Sequence, residues 1–246
     1  MSVADVPDRF RSVQGEQILP NRRPVDAATL VLIDRSGRKP RVLLGLRHAR
    51  QKFMPAKFVF PGGRVDAGDR RMPVFGALDT ESERRLEART VRPSLTRSRA
   101  LALAAIRETC EETGLLLGTR EAGSPPSPLP AGWEPFGAAG VFPNLEAVSF
   151  IARAITPPRL ARRFDTRFFL ADARDVAHEV QGMVGPDSEF TELRWLTLDD
   201  ARAADVPGIT HAVLGELEQR LAPGGYRRPV PFYYMRGGVF HRDTLD

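Results

Sequence analysis

The chain has 246 residues, 36 Lys and Arg against 31 Asp and Glu, and a 42% hydrophobic share. That length fits one large domain or one domain with additions, and the apolar share supports a real core, which excludes wholesale disorder. A single cysteine, Cys110, excludes an intramolecular disulfide framework and a cysteine-rich zinc site. The net charge of +5 admits nucleic acid, an acidic membrane surface or a phosphorylated small molecule, and does not choose among them. Only Lys39, Lys52 and Lys57 are lysines; the rest of the basic set is arginine, the better fork for phosphate oxygens and also the signature of a GC-rich genome. The first residues lack the apolar stretch of a secretory signal, and no apolar run is long enough to span a bilayer, so a cytoplasmic protein without a membrane partner is expected.

In chain order, residues 27–34 and 41–47 read as a hairpin about the Ser36-Gly37 turn, and Phe58-Val59-Phe60 as a third strand halted by Pro61-Gly62-Gly63. Thr80 to Arg89 reads as an exposed helix. Leu95 to Leu117 reads as a strong helix, with Thr96 or Ser98 as its cap and Gly114 near its end. The proline-rich stretch from Glu121 to Trp133 reads as an exposed loop. Strands are expected at 136–142, 147–155, 165–171 and 190–196. Helices are expected after the Thr197-Leu-Asp-Asp signal and over 209–221. Strands interspersed with a few helices predict a mixed α/β sandwich.

The most informative segment is Arg107-Glu-Thr-Cys-Glu-Glu-Thr-Gly-Leu115. At about 100° per residue, Glu111 and Glu112 fall on the same helix face as Glu108, while Ala102, Leu103, Ile106, Cys110 and Thr113 fall opposite, facing a sheet. Like charges so close repel unless a cation sits among them, and Mg²⁺ or Mn²⁺ prefers such oxygen ligands. The alternative is a solvated acidic face paired with Arg99 and Arg107.

Together with Phe58-Val-Phe-Pro-Gly-Gly-Arg-Val-Asp-Ala-Gly-Asp69 upstream, this segment resembles the box of the Nudix hydrolases. Gly63 takes the box glycine, Asp69 stands where the family has Glu, and Arg107, Glu108, Glu111, Glu112, Gly114 and Leu115 fill the remainder. Thr109 occupies an aliphatic position. The spacing departs most: residues 70–106 separate Asp69 from Arg107, an insertion of roughly thirty residues relative to the family pattern. A split box resembles the branch that contains a peroxisomal coenzyme A diphosphatase, as do the run from Arg47 to Gly63 and the segment Arg163-Phe-Asp-Thr-Arg-Phe-Phe-Leu170.

The resemblance implies a Nudix-type α/β/α sandwich with a mixed sheet. Residues 1–246 would form one domain, with a core at about 25–205, a helical insertion at about 70–96 and a helical extension at about 206–246. It implies a metal-dependent enzyme cleaving the diphosphate of a nucleoside diphosphate derivative. Coenzyme A or an acyl-coenzyme A is the preferred substrate, with ADP-ribose, a dinucleotide or a modified nucleoside triphosphate as alternatives. Glu108, Glu111 and Glu112 would hold Mg²⁺ or Mn²⁺, Arg107 would fix one of their rotamers, and Glu189, or else Glu192, would add a ligand or base from the segment ahead of Trp195. Gly62, Gly63, Arg47 and Arg50 would meet the substrate, with Lys52 and His48 nearby. A binding module without turnover has no need of three converging carboxylates, and the scattered arginines argue against a nucleic-acid partner. Phe232-Tyr233-Tyr234, with Arg227, Arg228 and Arg236 close by, reads as packing of the tail on the body or on a dimer mate, which leaves a homodimer open. Cys110 is expected to be a buried, inert thiol.

Overall fold

A computed structural model describes residues 20–51, 54–225 and 228–246; Lys52 and Arg227 lie outside them. Strand β1 (Val25–Asp34) explains the layering. Its side chains alternate, yet both faces are apolar: Ala28, Leu30 and Leu32 enter one core, and Val31 and Ile33 enter a second on the other side. A strand apolar on both faces belongs in the middle of a covered sheet. β1 pairs in parallel with β8 (Phe164–Asp172) and antiparallel with β2 (Arg41–Arg47) and β4 (Gly62–Arg64). β3 (Phe58–Val59) and β10 (Phe190–Thr197) pair with β2. β7 (Ser149–Ile155) follows β8, and a hairpin of β11 (Val230–Arg236) and β12 (Val239–Leu245) completes the far edge. Helix α2 (Leu95–Thr113) covers the first face. Helices α4 (Leu198–Ala203) and α5 (Gly208–Leu221) cover the second. The expected α/β/α sandwich with a mixed sheet is therefore observed.

Several boundaries differ from expectation. Helix α2 stops at Thr113, because Gly114 adopts a left-handed φ of 79° and its N–H caps Cys110 O. A side chain at Gly114 would also strike Val180 O at 2.1 Å. The chain then leaves as β5 (Leu115–Thr119), which pairs with β9 (Val176–Glu179) and β6 (Phe142–Pro143). The N-cap is Ser94, whose hydroxyl accepts from Arg97 N, and neither Thr96 nor Ser98. The expected strand at 136–142 is mostly helix α3 (Glu134–Ala139), where Phe136 packs on Trp133 with ring centroids 4.9 Å apart. Trp133, expected in an exposed loop, is fully buried. Helix α1 (Thr80–Glu87) buries Ser82 and Leu86, and the Ser82 hydroxyl accepts from Phe150 N at 3.0 Å.

The extension after 205 is only partly helical. Beyond α5 it is the β11–β12 hairpin, turned by Gly237-Gly238 between apolar runs, a signal legible in the sequence. Its aromatic residues pack on the body. Phe232 and Tyr233 are buried, and the guanidiniums of Arg153 and Arg89 lie 4.4 and 5.2 Å from the Phe232 ring. Arg89 also pairs with Asp243, so the box insertion and the tail meet each other.

A buried ionic chain fixes the root of α2. Arg97 grips Asp26 at 2.7 and 2.8 Å, Arg167 reaches Asp26 at 3.1 Å and Asp165 at 2.9 Å, and Arg153 holds Asp165 at 2.7 and 2.8 Å. Burial pulls Arg167 down to about 10, partly offset by those two carboxylates, which leaves it a cation at neutral pH. Asp26 O also accepts from Val65 N at 3.1 Å, so the same chain fixes the segment just after the glycine turn.

Candidate active site

The site forms where the last two turns of α2 pass the turn between β3 and β4. Gly63 allows the approach: a Cβ there would lie 2.4 Å from the Glu108 carboxylate carbon. Gly62 N–H donates to Glu112 Oε2 at 2.8 Å. Glu112 is only 5% exposed, and Glu108 is partly buried beside it. Glu189, from the loop before β10, faces Glu112 and accepts from Arg47 Nη2 at 2.7 Å. Glu108, Glu112, Glu189, Gly62, Gly63 and Arg47 all line one cavity of about 650 Å³. Arg22, Arg23, Arg64, Arg162 and Arg163 line it as well. Its remaining walls include Phe60, Phe168 and Ile209, at the open end of the second core.

The other expected residues lie around this centre. Glu111 does not line the cavity; its side chain is 41% exposed and pairs with Arg107 Nη1 at 3.1 Å. Arg107 is buried and is the hub of the cluster. Its Nη1 also donates to Glu108 Oε1 at 3.0 Å, its Nη2 donates to Arg64 O at 2.9 Å, and Asp69 accepts from its Nε at 2.8 Å and its Nη2 at 3.1 Å. Asp69, the shortened box carboxylate, is thus Arg107's main counterion. Arg50 lines a separate, adjoining cavity of about 380 Å³ with His48, Gln51 and Asp187; the two cavities share Arg162 and Glu189. Glu192 pairs with Arg194 at 2.6 Å and lines neither cavity. Trp133, absent from the sequence reading of the site, donates from Nε1 to Asp69 Oδ1 at 3.2 Å. It lies 64 positions from its partner, beyond any local pattern.

Electrostatics at this wall favour an added cation. Burial, then the nearby charges of Glu111 and Asp66, push Glu108 up to about 7 against the pull of Arg107. Burial, Glu189 and Glu108 hold Glu112 well above the usual carboxylate range, despite the Gly62 N–H and Arg47. Arg107 moves upward, because Asp69, Glu108 and Glu111 outweigh its burial. Among the described residues, no three carboxylate, histidine or cysteine side chains already converge as a metal cluster; Glu112 turns to Gly62, Glu108 to Arg107 and Glu189 to Arg47. The donor set is nevertheless all hard oxygen, mutually repelling and on one cavity wall, which fits a divalent cation of the Mg²⁺ or Mn²⁺ kind. Cys110 is buried against the first core, and burial, with Glu111 nearby, raises its thiol to about 12, which keeps it protonated and inert.

These shifts give a testable pH dependence. A carboxyl whose folded pKa exceeds its unfolded value of about 4.5 binds its proton more tightly when folded. Its contribution is complete below the unfolded value and is lost as pH rises through about 7. Metal-free protein is therefore expected to melt at lower temperature at pH ~8 than at pH ~5.5, and Glu108→Gln to weaken the trend, with Glu112 keeping the rest. Calorimetry over that interval checks this; a rising melting temperature would contradict it.

No protein-family model matches the chain. Among solved structures, it is similar to a Nudix hydrolase from Alicyclobacillus acidocaldarius, with 28% identity over 79% of this chain and 91% of that one and a TM-score of 0.56. Looser likenesses include the NUDIX domain of Shewanella oneidensis NrtR complexed with ADP ribose (13% identity, 90% and 100% covered, TM-score 0.45). Another is an Ap4A hydrolase from C. elegans (14% identity, 80% and 99% covered, TM-score 0.40). The fold is that of the Nudix hydrolases. The Alicyclobacillus likeness and the carboxylate helix together support an enzyme, one similar to the Nudix hydrolases. Among the described residues, no helix is long and apolar enough to cross a membrane.

Proposed function

We propose that the protein is a divalent-metal-dependent pyrophosphohydrolase of nucleoside diphosphate derivatives, with coenzyme A or an acyl-coenzyme A as its substrate. The observation that carries this reading is a single cavity with Glu108, Glu112 and Glu189 at one wall and a rim of arginines around it. A pyrophosphate needs both: arginine forks for its outer oxygens, and carboxylates that bring a cation to the scissile linkage. Bound at Glu108, Glu112 and Glu189, Mg²⁺ or Mn²⁺ would neutralise the charge that repels an attacking water. The chain's own residues do the rest. Arg107 holds the rotamers of Glu108 and Glu111, Gly62 and Gly63 let the substrate approach the helix, and Arg47 and Arg64 bind phosphate oxygens. Glu189 supplies the further carboxylate, as ligand or base. The adjoining cavity supports the coenzyme A reading, because Arg50, His48 and Arg162 offer a second phosphate site beside the first.

A substrate panel with Mg²⁺ or Mn²⁺ tests the proposal. Coenzyme A is expected to yield 3′,5′-ADP and 4′-phosphopantetheine, read by chromatography. Turnover of ADP-ribose or a dinucleotide with coenzyme A left intact would overturn the substrate. A panel wholly inert with metal would overturn the reaction.

A further inference from the structure

Arg107 is held from behind by Asp69, which is itself held by a residue outside the box. Asp69 is fully buried, and its carboxylate accepts four hydrogen bonds. Oδ1 receives Arg107 Nε at 2.8 Å and the Trp133 indole N–H at 3.2 Å. Oδ2 receives Arg107 Nη2 at 3.1 Å and the Asp66 backbone N–H at 2.8 Å. The loop bearing Trp133 also packs on the arginine's stem. Gly132 has a φ of 85°, and a Cβ there would lie 2.9 Å from Arg107 Cδ and 2.8 Å from Glu111 Oε1. One loop therefore touches the cation, its counterion and one of the carboxylates that the cation steers.

We propose that Trp133 is a positioning residue, which acts through Asp69 to fix the Arg107 guanidinium and thereby the carboxylates of Glu108 and Glu111. A bidentate Arg–Asp pair alone can rock as a unit; a donor from a third direction removes that freedom, provided it is itself rigid. Trp133 meets that condition, being fully buried and packed on Phe136. The effect belongs to orientation at the reacting centre, so it enters kcat and leaves substrate affinity largely alone.

The kinetic part of the test rests on the hydrolase reading; the spectroscopic part does not. Trp133→Phe keeps an aromatic ring and deletes the N–H. It is expected to lower kcat about tenfold, the scale of one hydrogen bond to a buried charge, with KM changed less than about twofold. Asp69→Asn is expected to lower kcat further, and the double variant to match Asp69→Asn alone, because both act on one path. Losses that multiply in the double variant would overturn the proposal, since Trp133 would then act by packing. The intact chain offers an independent check. It has two tryptophans, so Trp195→Phe assigns the indole N–H resonances. The Trp133 resonance is expected downfield and slow to exchange, and to move in Asp69→Asn. A resonance that does not move overturns the proposal whether or not Trp133→Phe folds. If no diphosphate is turned over, the hydrolase reading falls and the resonance alone decides.

Discussion

Replacing Glu112 with Gln is expected to abolish metal-dependent hydrolysis, lowering kcat by about a thousandfold or more, without harming the fold. Glu112 is 5% exposed, and one of its oxygens accepts the Gly62 N–H at 2.8 Å. Glutamine keeps that acceptor and the side-chain volume, so the turn stays anchored to the helix. The charge is lost, and in metal-free protein that charge is a liability. Burial, Glu189 and Glu108 all push the Glu112 carboxyl towards its protonated form. At neutral pH, removing it should therefore leave the metal-free melting temperature unchanged or higher. Activity and stability are expected to move in opposite senses, the mark of a charge kept for function. The rise in melting temperature on adding Mg²⁺ should shrink as well, because a binding free energy has been taken from the folded state. Steady-state turnover and a metal-titrated melt check both parts. Unchanged turnover would sink the assignment of Glu112 to a cation.

The helix that carries these charges was legible because its pattern is local. A 3.6-residue period places Ala102, Leu103, Ile106 and Cys110 on the core side, where they are buried, and the glutamates away from it. The same period could not separate Glu111 from Glu108 and Glu112. In the structure Glu111 alone of the three is off the cavity wall, with its side chain 41% exposed and paired with Arg107. The long-range partners were illegible for a related reason. Arg47 meets Glu189 from 142 positions away, and Asp69 meets Trp133 from 64; neither pairing leaves a trace in spacing. Trp133 was misread through its neighbours. A loop with four prolines looks solvated, yet its last residue turns inward to bond a buried carboxylate. The strand expected at 136–142 failed similarly. Phe136 and Val141 suit a strand by residue type, but Phe136 is fixed by packing on Trp133 in a short helix capped by Gly140.

Arg107→Ala is the substitution expected to cost most in stability, about 3–5 kcal/mol, or a melting temperature lower by on the order of 10 °C for a chain of this size. The reason lies in what it leaves behind. Asp69 is 0% exposed, and two of its four donors come from Arg107. Without them, a buried carboxylate keeps only the Trp133 indole and the Asp66 amide, and Arg64 O loses its donor too. Arg194 supplies the contrast. It pairs with Glu192 at 2.6 Å, closer than any Arg107 pair, but both side chains are about half exposed. Water replaces that partner readily, so Arg194→Ala should melt near wild type. Removing both buried charges, as in Arg107→Met with Asp69→Leu, should destabilise less than Arg107→Ala, because the fully buried Asp69 charge is then not left without its cation. Thermal melts of the three variants separate burial from distance as the quantity that sets the strength of these pairs. Equal melting temperatures for Arg107→Ala and Arg194→Ala would mean that Asp69 is satisfied without its arginine.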